Sequence, residues 1–123
     1  MARILDYNGN EADRTVTVAS LIALQARNVQ VAQVTASSAD EAAAAEAAGI
    51  EMVVCMSESV PAVRQGSSRV FVTAAIDFTG AVTVDELLRV ALESLSSGAD
   101  AVITARGMSS VARLAEEDIP VIG

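Results

Sequence analysis

The sequence contains no histidine and no lysine, and its eight cations are all arginine. Without imidazole there is no Ser/His/Asp or Cys/His catalytic set and no histidine metal ligand. Without a side-chain amine, Schiff-base chemistry, pyridoxal-type catalysis and the phosphate-binding P-loop are excluded. Tryptophan is absent and the only aromatics are Tyr7, Phe71 and Phe78, which leaves no platform for stacking bases or sugars. Positive charge is scarce as well. Eight Lys+Arg against 16 Asp+Glu give a net charge of −8, so nucleic acid, whose phosphates need clustered cations, is not an expected partner. Cys55 is the single cysteine, so an intramolecular disulfide is impossible and a reducing cytoplasm is the expected location. Its own reading is a small apolar residue inside a strand. Val18 to Ala26 is the only stretch resembling a signal-peptide core, but Asp6, Glu11 and Asp13 precede it where positive charge belongs. No apolar run approaches the roughly 20 residues of a membrane span, so no membrane association is expected.

What the chain has in quantity is aliphatic side chains. Hydrophobic residues are 52% of 123, enough for one core, and residues 1–123 read as a single α/β domain with 1–14 as an N-terminal extension. Val16 to Asn28 carries helical spacing (Val18, Leu21, Ile22) behind Thr15 or Thr17 as N-cap. Gln30 to Thr35 reads as a strand. Ser38, with Asp40 and Glu41 after it, opens an Ala-rich helix that Gly49 closes. Glu51 to Met56 is a strand, Glu58 to Gln65 a helix with Pro61 in its first turn, and Arg69 to Ile76 a third strand. Thr83 and Glu86 form a capping-box pattern for a helix through Ser97. Asp100 to Ala105, Met108 to Glu117 and Ile119 to Ile122 then read as strand, helix and strand.

Two segments echo each other, Ala48-Gly49-Ile50-Glu51-Met52-Val53-Val54 and Ser97-Gly98-Ala99-Asp100-Ala101-Val102-Ile103. Each runs helix end, glycine, acidic residue, buried strand, which is a β/α repeat unit building a parallel sheet. Two architectures accept about five such strands. One is the N-terminal part of a (β/α)8 TIM-type barrel, and the other is a flavodoxin-like three-layer domain. Ile119-Pro120-Val121-Ile122-Gly123 ends on a strand with no helix to cover it, which favours the barrel section.

Several motifs are similar to those of the ketopantoate hydroxymethyltransferase family, within the phosphoenolpyruvate mutase and isocitrate lyase superfamily of barrels. They are Thr17 to Arg27, Val34-Thr35-Ala36 with the Ala-rich helix after it, Ala47 to Val54, Val82 to Leu88, Gly98 to Val102 and Ile119 to Gly123. The resemblance covers roughly residues 15 to 123. It implies an aldol-type transfer of a one-carbon unit from methylenetetrahydrofolate to a small α-keto acid, in pantothenate biosynthesis, with Mg²⁺ offsetting the enolate charge. A hard cation of that kind needs carboxylate ligands.

Most of the family's carboxylates are missing. Ser37 and Ser38 stand where the family has Tyr-Asp, and the Gly-Asp-Ser loop falls on Ser57-Glu58-Ser59 if one residue is inserted. The third-strand Asp lands on Ala75, leaving Asp77 two residues away, and the fourth-strand Lys and Glu land on Ile103 and Ala105. The resemblance therefore implies Glu58 and Asp77 as metal ligands and Thr35, Ser57, Ser59 and Arg106 as substrate contacts. It places the general base beyond Gly123, so no catalytic residue is assigned and the isolated chain is expected to be inactive.

Each candidate has a structural explanation beside the functional one. Glu58 also suits a helix's first turn, Asp77 an ordinary loop before Phe78-Thr79-Gly80, and Ser37 or Ser38 a helix cap. Arg106 is the one cation placed to meet an anionic keto acid, while Arg64 and Arg69 are expected to be solvated. Asp40, Glu41, Glu46, Glu86, Glu93, Glu116 and Glu117 read as solvated helix surface. A second functional reading follows, a non-catalytic ligand-binding or assembly relative of these barrels. Two free sheet edges and an apolar inner face also predict a homo-oligomer.

Overall fold

The computed structural model describes residues 3–122. Five parallel strands alternate with helices: α1 (Val18–Ala26), β1 (Gln33–Thr35), α2 (Ala39–Ala47), β2 (Met52–Met56), α3 (Val60–Gly66), β3 (Phe71–Ala75), α4 (Val84–Ser96), β4 (Ala101–Ile103), α5 (Met108–Glu116) and β5 (Val121–Ile122). A 3-10 turn at Ser57–Ser59 joins β2 to α3. The strands lie in the order β1-β2-β3-β4-β5, each bonded in parallel to its sequence neighbour. A flavodoxin-like sheet reverses direction once and runs 2-1-3-4-5. This sheet does not reverse, and its winding is that of a barrel section.

Alternation along the strands separates two faces. Val53, Cys55, Val72, Ala74 and Val102 join buried residues of α2, α3, α4 and α5, such as Ala42, Val63, Leu87 and Leu114, in the main core. Met52, Phe71 and Ala101 face the other way and pack with Val16, Leu21 and Leu24, so α1 covers the concave face at the N-terminal ends of the strands. The observed strands are shorter than the apolar runs that announce them. Gln30, Val31 and Ala32 precede β1, Ala32 keeping one bond to β2 through its carbonyl, and Thr104 and Ala105 follow β4.

Local signals fix the helix starts. Thr17 accepts from the Ser20 amide and Ser20 answers to the Thr17 amide at 2.6 Å. Ser38 and Thr83 cap α2 and α4 by accepting from the amides of Glu41 and Glu86. The Glu86 carboxylate reaches back to Val82 N, one residue before the cap. Gly49 (φ +80°) and Gly98 (φ +121°) end the two echoing helices in the left-handed region. The echo extends to the acids after them: Glu51 accepts from Ala32 N and Asp100 from Val72 N.

Arg64 is not solvated as expected. Its Nη2 lies 2.6 Å from Asp100 Oδ2, its Nε donates to Gly98 O and its Nη1 to Val70 O, and its side chain is 13% exposed. Arg14 completes the group, with Nε 2.9 Å from Asp100 Oδ1 and Nη1 donating to Ser68 O. Burial lowers the pKa of Arg64, and the Asp100 charge opposes that shift. Arg69, by contrast, is half-exposed and pairs with Asp13. Residues 3–14 form a tight turn, with Asp6 N donating to Asn10 O and Ala12 N to Ile4 O, that is tied to α4 through Asn8 Nδ2 and Ser96 O. Two of the glutamates expected in solvent are also engaged: Glu46 accepts from buried Ser67, and Glu41 clamps the β1–α2 loop.

Candidate functional site

In a singly wound parallel sheet the loops after the strands gather at one end, and that end is where such folds assemble sites. Here it is lined by Thr35 to Ser38, Met56 to Ser59, Ala75 to Thr79 and Thr104 to Gly107. The concave row closest to it is Met56, Ala75, Ile103 and Ile122, aligned across four strands by the register. That row is apolar. Ala75 faces into it with a methyl group.

The β1–α2 loop is closed by its own side chains. Glu41 Oε1 accepts from Ser37 N (3.3 Å), Ser37 Oγ (3.1 Å) and Ser38 Oγ (3.1 Å), and these bonds, the Ser37 amide first, hold the Glu41 carboxyl below the usual glutamate range. Ser37 and Ser38 thus act as cap and clamp. Thr35 remains exposed on the concave face, opposite Val54 of β2.

Glu58 lies in the 3-10 turn, is exposed, and accepts only a long bond from Ser57 Oγ at 3.4 Å. Strand alternation puts Met56 on the concave side, and the turn then carries Ser57 and Glu58 toward the helices. Both border a groove of about 280 Å³ whose other wall is Val90, Glu93, Ser94 and Ser97 of α4 and its C-cap. Ser59 stays half-buried at the start of α3.

Asp77 is turned into its own loop. Its Oδ1 accepts from Thr79 N and Thr79 Oγ1, both at 3.1 Å, an Asx turn that Gly80 completes at close quarters. Among the described residues no three His, Cys, Asp or Glu side chains come together in a way that could hold a metal ion. Glu58 borders the groove beside α4, and both carboxylate oxygens of Asp77 are taken up in its own turn.

Arg106 makes the contact with no counterpart in the sequence pattern. Its guanidinium carbon lies 4.1 Å from the centroid of the Phe78 ring and Nη2 donates to Phe78 O, so the β4–α5 loop is fastened to the β3–α4 loop. The residue's own amide donates to Thr104 Oγ1. Its Nε is buried and lacks an acceptor among the described residues. Sequence reasoning missed Phe78, 28 positions away, because no local periodicity links the two. It also missed Glu41 as a loop clamp, although the spacing Ser38 to Glu41 is that of a capping box. No family model matches the chain, and no curated protein matches it.

Proposed function

We propose that the chain is a barrel-type β/α module that binds the carboxylate of a small α-keto acid at the C-terminal ends of its strands, without turning it over alone. The reading keeps the likeness to ketopantoate hydroxymethyltransferases as ancestry. The observation that carries it is the buried, unpartnered Nε–H of Arg106. An unsatisfied buried donor costs roughly 1–3 kcal/mol, more when charged, and a bound oxyanion would relieve it. Phe78 holds the guanidinium plane in place, and Thr35, exposed on the concave face, offers a hydroxyl at the same end of the sheet.

The non-catalytic half of the reading rests on what surrounds that arginine. Proton abstraction next to a keto group needs a positioned base and a charge to stabilise the enolate. Ala75 and Ala105 stand at two positions that the resemblance assigns to charged residues, and Asp77 is taken up in its own turn, so no step is assigned to Mg²⁺ or to methylenetetrahydrofolate. The free thiol of Cys55 fits a reducing cytoplasm, where it stays reduced.

The test is calorimetric titration with α-ketoisovalerate beside proton NMR in D₂O. Binding that disappears in Arg106→Leu, with no exchange of the C3 proton, is the expected pair of results. Absence of binding by the native chain overturns the ligand assignment. Fast exchange that vanishes in Glu58→Gln overturns the non-catalytic assignment instead.

A further inference from the structure

Residues 3–14 are ordered among themselves but scarcely packed on the rest of the molecule. None of them is buried, and Leu5 and Tyr7 stand 56% and 55% exposed, so the segment gains little from apolar burial. Its shape is its own. Leu5 and Glu11 bridge as antiparallel partners, Ala12 N donates to Ile4 O, Asn10 N donates to Asp6 Oδ1 at 2.8 Å, and Gly9 closes the turn at φ +83°. Among the described residues, no main-chain to main-chain bond runs from residues 3–14 to the body of the fold. Space is left beneath the segment as well. Cavities of about 430, 170 and 240 Å³ each have the segment as one wall, with Arg64, Phe71, Leu95 and Asp100 among the residues on the other side.

Four side-chain contacts fasten the segment among the described residues. Asn8 Nδ2 donates to Ser96 O, Arg69 pairs with Asp13, and Arg14 reaches Asp100 Oδ1 at 2.9 Å and Ser68 O at 2.7 Å. Arg14 is the buried one, its side chain 8% exposed against 50% for Arg69 and 70% for Asp13. An exposed ion pair contributes little, so the hold on the segment comes down to Arg14. That hold is contested, because Arg64 already occupies the other oxygen of Asp100 and two guanidinium groups share one carboxylate. The point where the segment joins the body is equally well marked. Thr15 N donates to Arg69 O at 2.7 Å and Thr15 Oγ1 to Glu51 O at 2.6 Å, and Thr17 then caps α1, so the chain is fixed to the strand starts directly after Arg14.

We propose that residues 3–14 form a strap that opens as one unit about the junction of Arg14 and Thr15 while the sheet and its helices stay folded, with the Arg14–Asp100 pair as its latch. Opening carries Arg14 into water and uncovers the three cavities together, as a cleft at the strand starts with Asp100 in its wall. Asp100 meanwhile stays bonded to Arg64 Nη2 and Val72 N. Segments that open in this way are those with few buried apolar contacts, drawn from the low-stability end of a fold. The cleft lies at the pole opposite Arg106 and Phe78, and the strap is independent of the proposed ligand.

Native-state hydrogen exchange on the 123-residue chain, followed by NMR over a series of low urea concentrations, tests it. The amides of Asp6, Asn10 and Ala12, bonded within the strap, should exchange at least about a hundredfold faster than the amide of Ile76, which donates to Ile103 O, and at rates that urea leaves unchanged. Arg14→Gln should speed the strap amides by about tenfold or more, whereas Arg69→Gln, which removes the exposed pair, should change them by less than about threefold. Val53→Ala, in the main core, should speed Ile76 and leave the strap amides as they were, because the core is intact in the opened state. Strap amides that share the rate and urea dependence of Ile76, or that speed up with it in Val53→Ala, overturn the proposal by showing one cooperative unit. Strap amides indifferent to Arg14→Gln, or equally sensitive to Arg69→Gln, overturn the latch. Where a variant does not fold, the urea series on the native chain decides alone.

Discussion

Asp100 Oδ2 sits 2.6 Å from Arg64 Nη2, and the two residues join the start of β4 to the end of α3 across 36 positions of sequence. The same carboxylate accepts from Arg14 Nε and from Val72 N, so one acid ties the N-terminal segment, α3, β3 and β4 together at the pole opposite the candidate site. The three side chains are between 8% and 17% exposed. Removing one member of such a group leaves the others charged and unpaired, which is far worse than never having built it.

Asp100→Asn should therefore cost about 3 kcal/mol, leaving two arginines against one neutral amide. Urea unfolding would show a lower midpoint at unchanged slope. A loss below about 1 kcal/mol would mean that water already screens the group as it does a surface pair.

Gly66 defines how closely α2 and α3 approach. A Cβ there would overlap the Ala39 carbonyl, standing 2.6 Å from its carbon, and backbone cannot swing away as a side chain can. Gly66→Ala should destabilise by about 2 kcal/mol, as overpacking does. The comparison to make is with Gly107→Ala, whose added methyl meets open space at the start of α5. Equal losses in the two variants would show that α2 and α3 separate freely.

The sequence announced the repeat, because glycine, acid and β-branched strand recur at residues 48–54 and 97–103 and each piece is a local signal. Helix starts were legible for the same reason, since Ser38 and Thr83 lie three residues from the amides that they cap. Sheet order was not legible. The choice between a sequential and a reversed sheet depends on which way each crossover turns, and both architectures share one pattern of strands and helices. Arg64 misled the reading because position beside a strand entrance says nothing about a partner 36 residues on. In the candidate site, Arg106 was singled out from its place after β4, but its stacking on Phe78 depends on two loops meeting in space. Ser57-Glu58-Ser59 read as a ligand loop by resemblance; that it forms a 3-10 turn bordering a groove beside α4 depends on packing between elements that no local pattern records.

Thr73 is a polar residue inside an apolar layer. It faces the concave side between Val54 and Ala101 in register, is 1% exposed, and its Oγ1 lacks a partner among the described residues. Replacing a buried hydroxyl without a partner by an isosteric methyl removes a desolvation cost and leaves no cavity. Thr73→Val should leave stability unchanged or raise it by up to about 1 kcal/mol in thermal and urea unfolding. A clear loss would show that the hydroxyl has a partner such as an internal water.

Acid should loosen the two capped helices before it reaches the core. Glu41 is held below the ordinary glutamate pKa first by the Ser37 amide, and Glu86 first by the Val82 amide. For each the folded value lies below the unfolded one. Their stabilisation is therefore complete above the unfolded glutamate pKa and is lost as pH falls through the folded one. Carboxyl-carbon NMR titrations should give midpoints for Glu41 and Glu86 below those of the same residues in the urea-unfolded chain. Over the same fall in pH the amides of Ser37 and Val82 should lose hydrogen-exchange protection. Ser38→Ala should raise the Glu41 midpoint, because one of its donors is gone, and cost about 1 kcal/mol as a lost N-cap. A Glu41 midpoint that does not move in that variant would show that the Ser37 contacts alone hold the clamp, and that the cap and the carboxylate act separately.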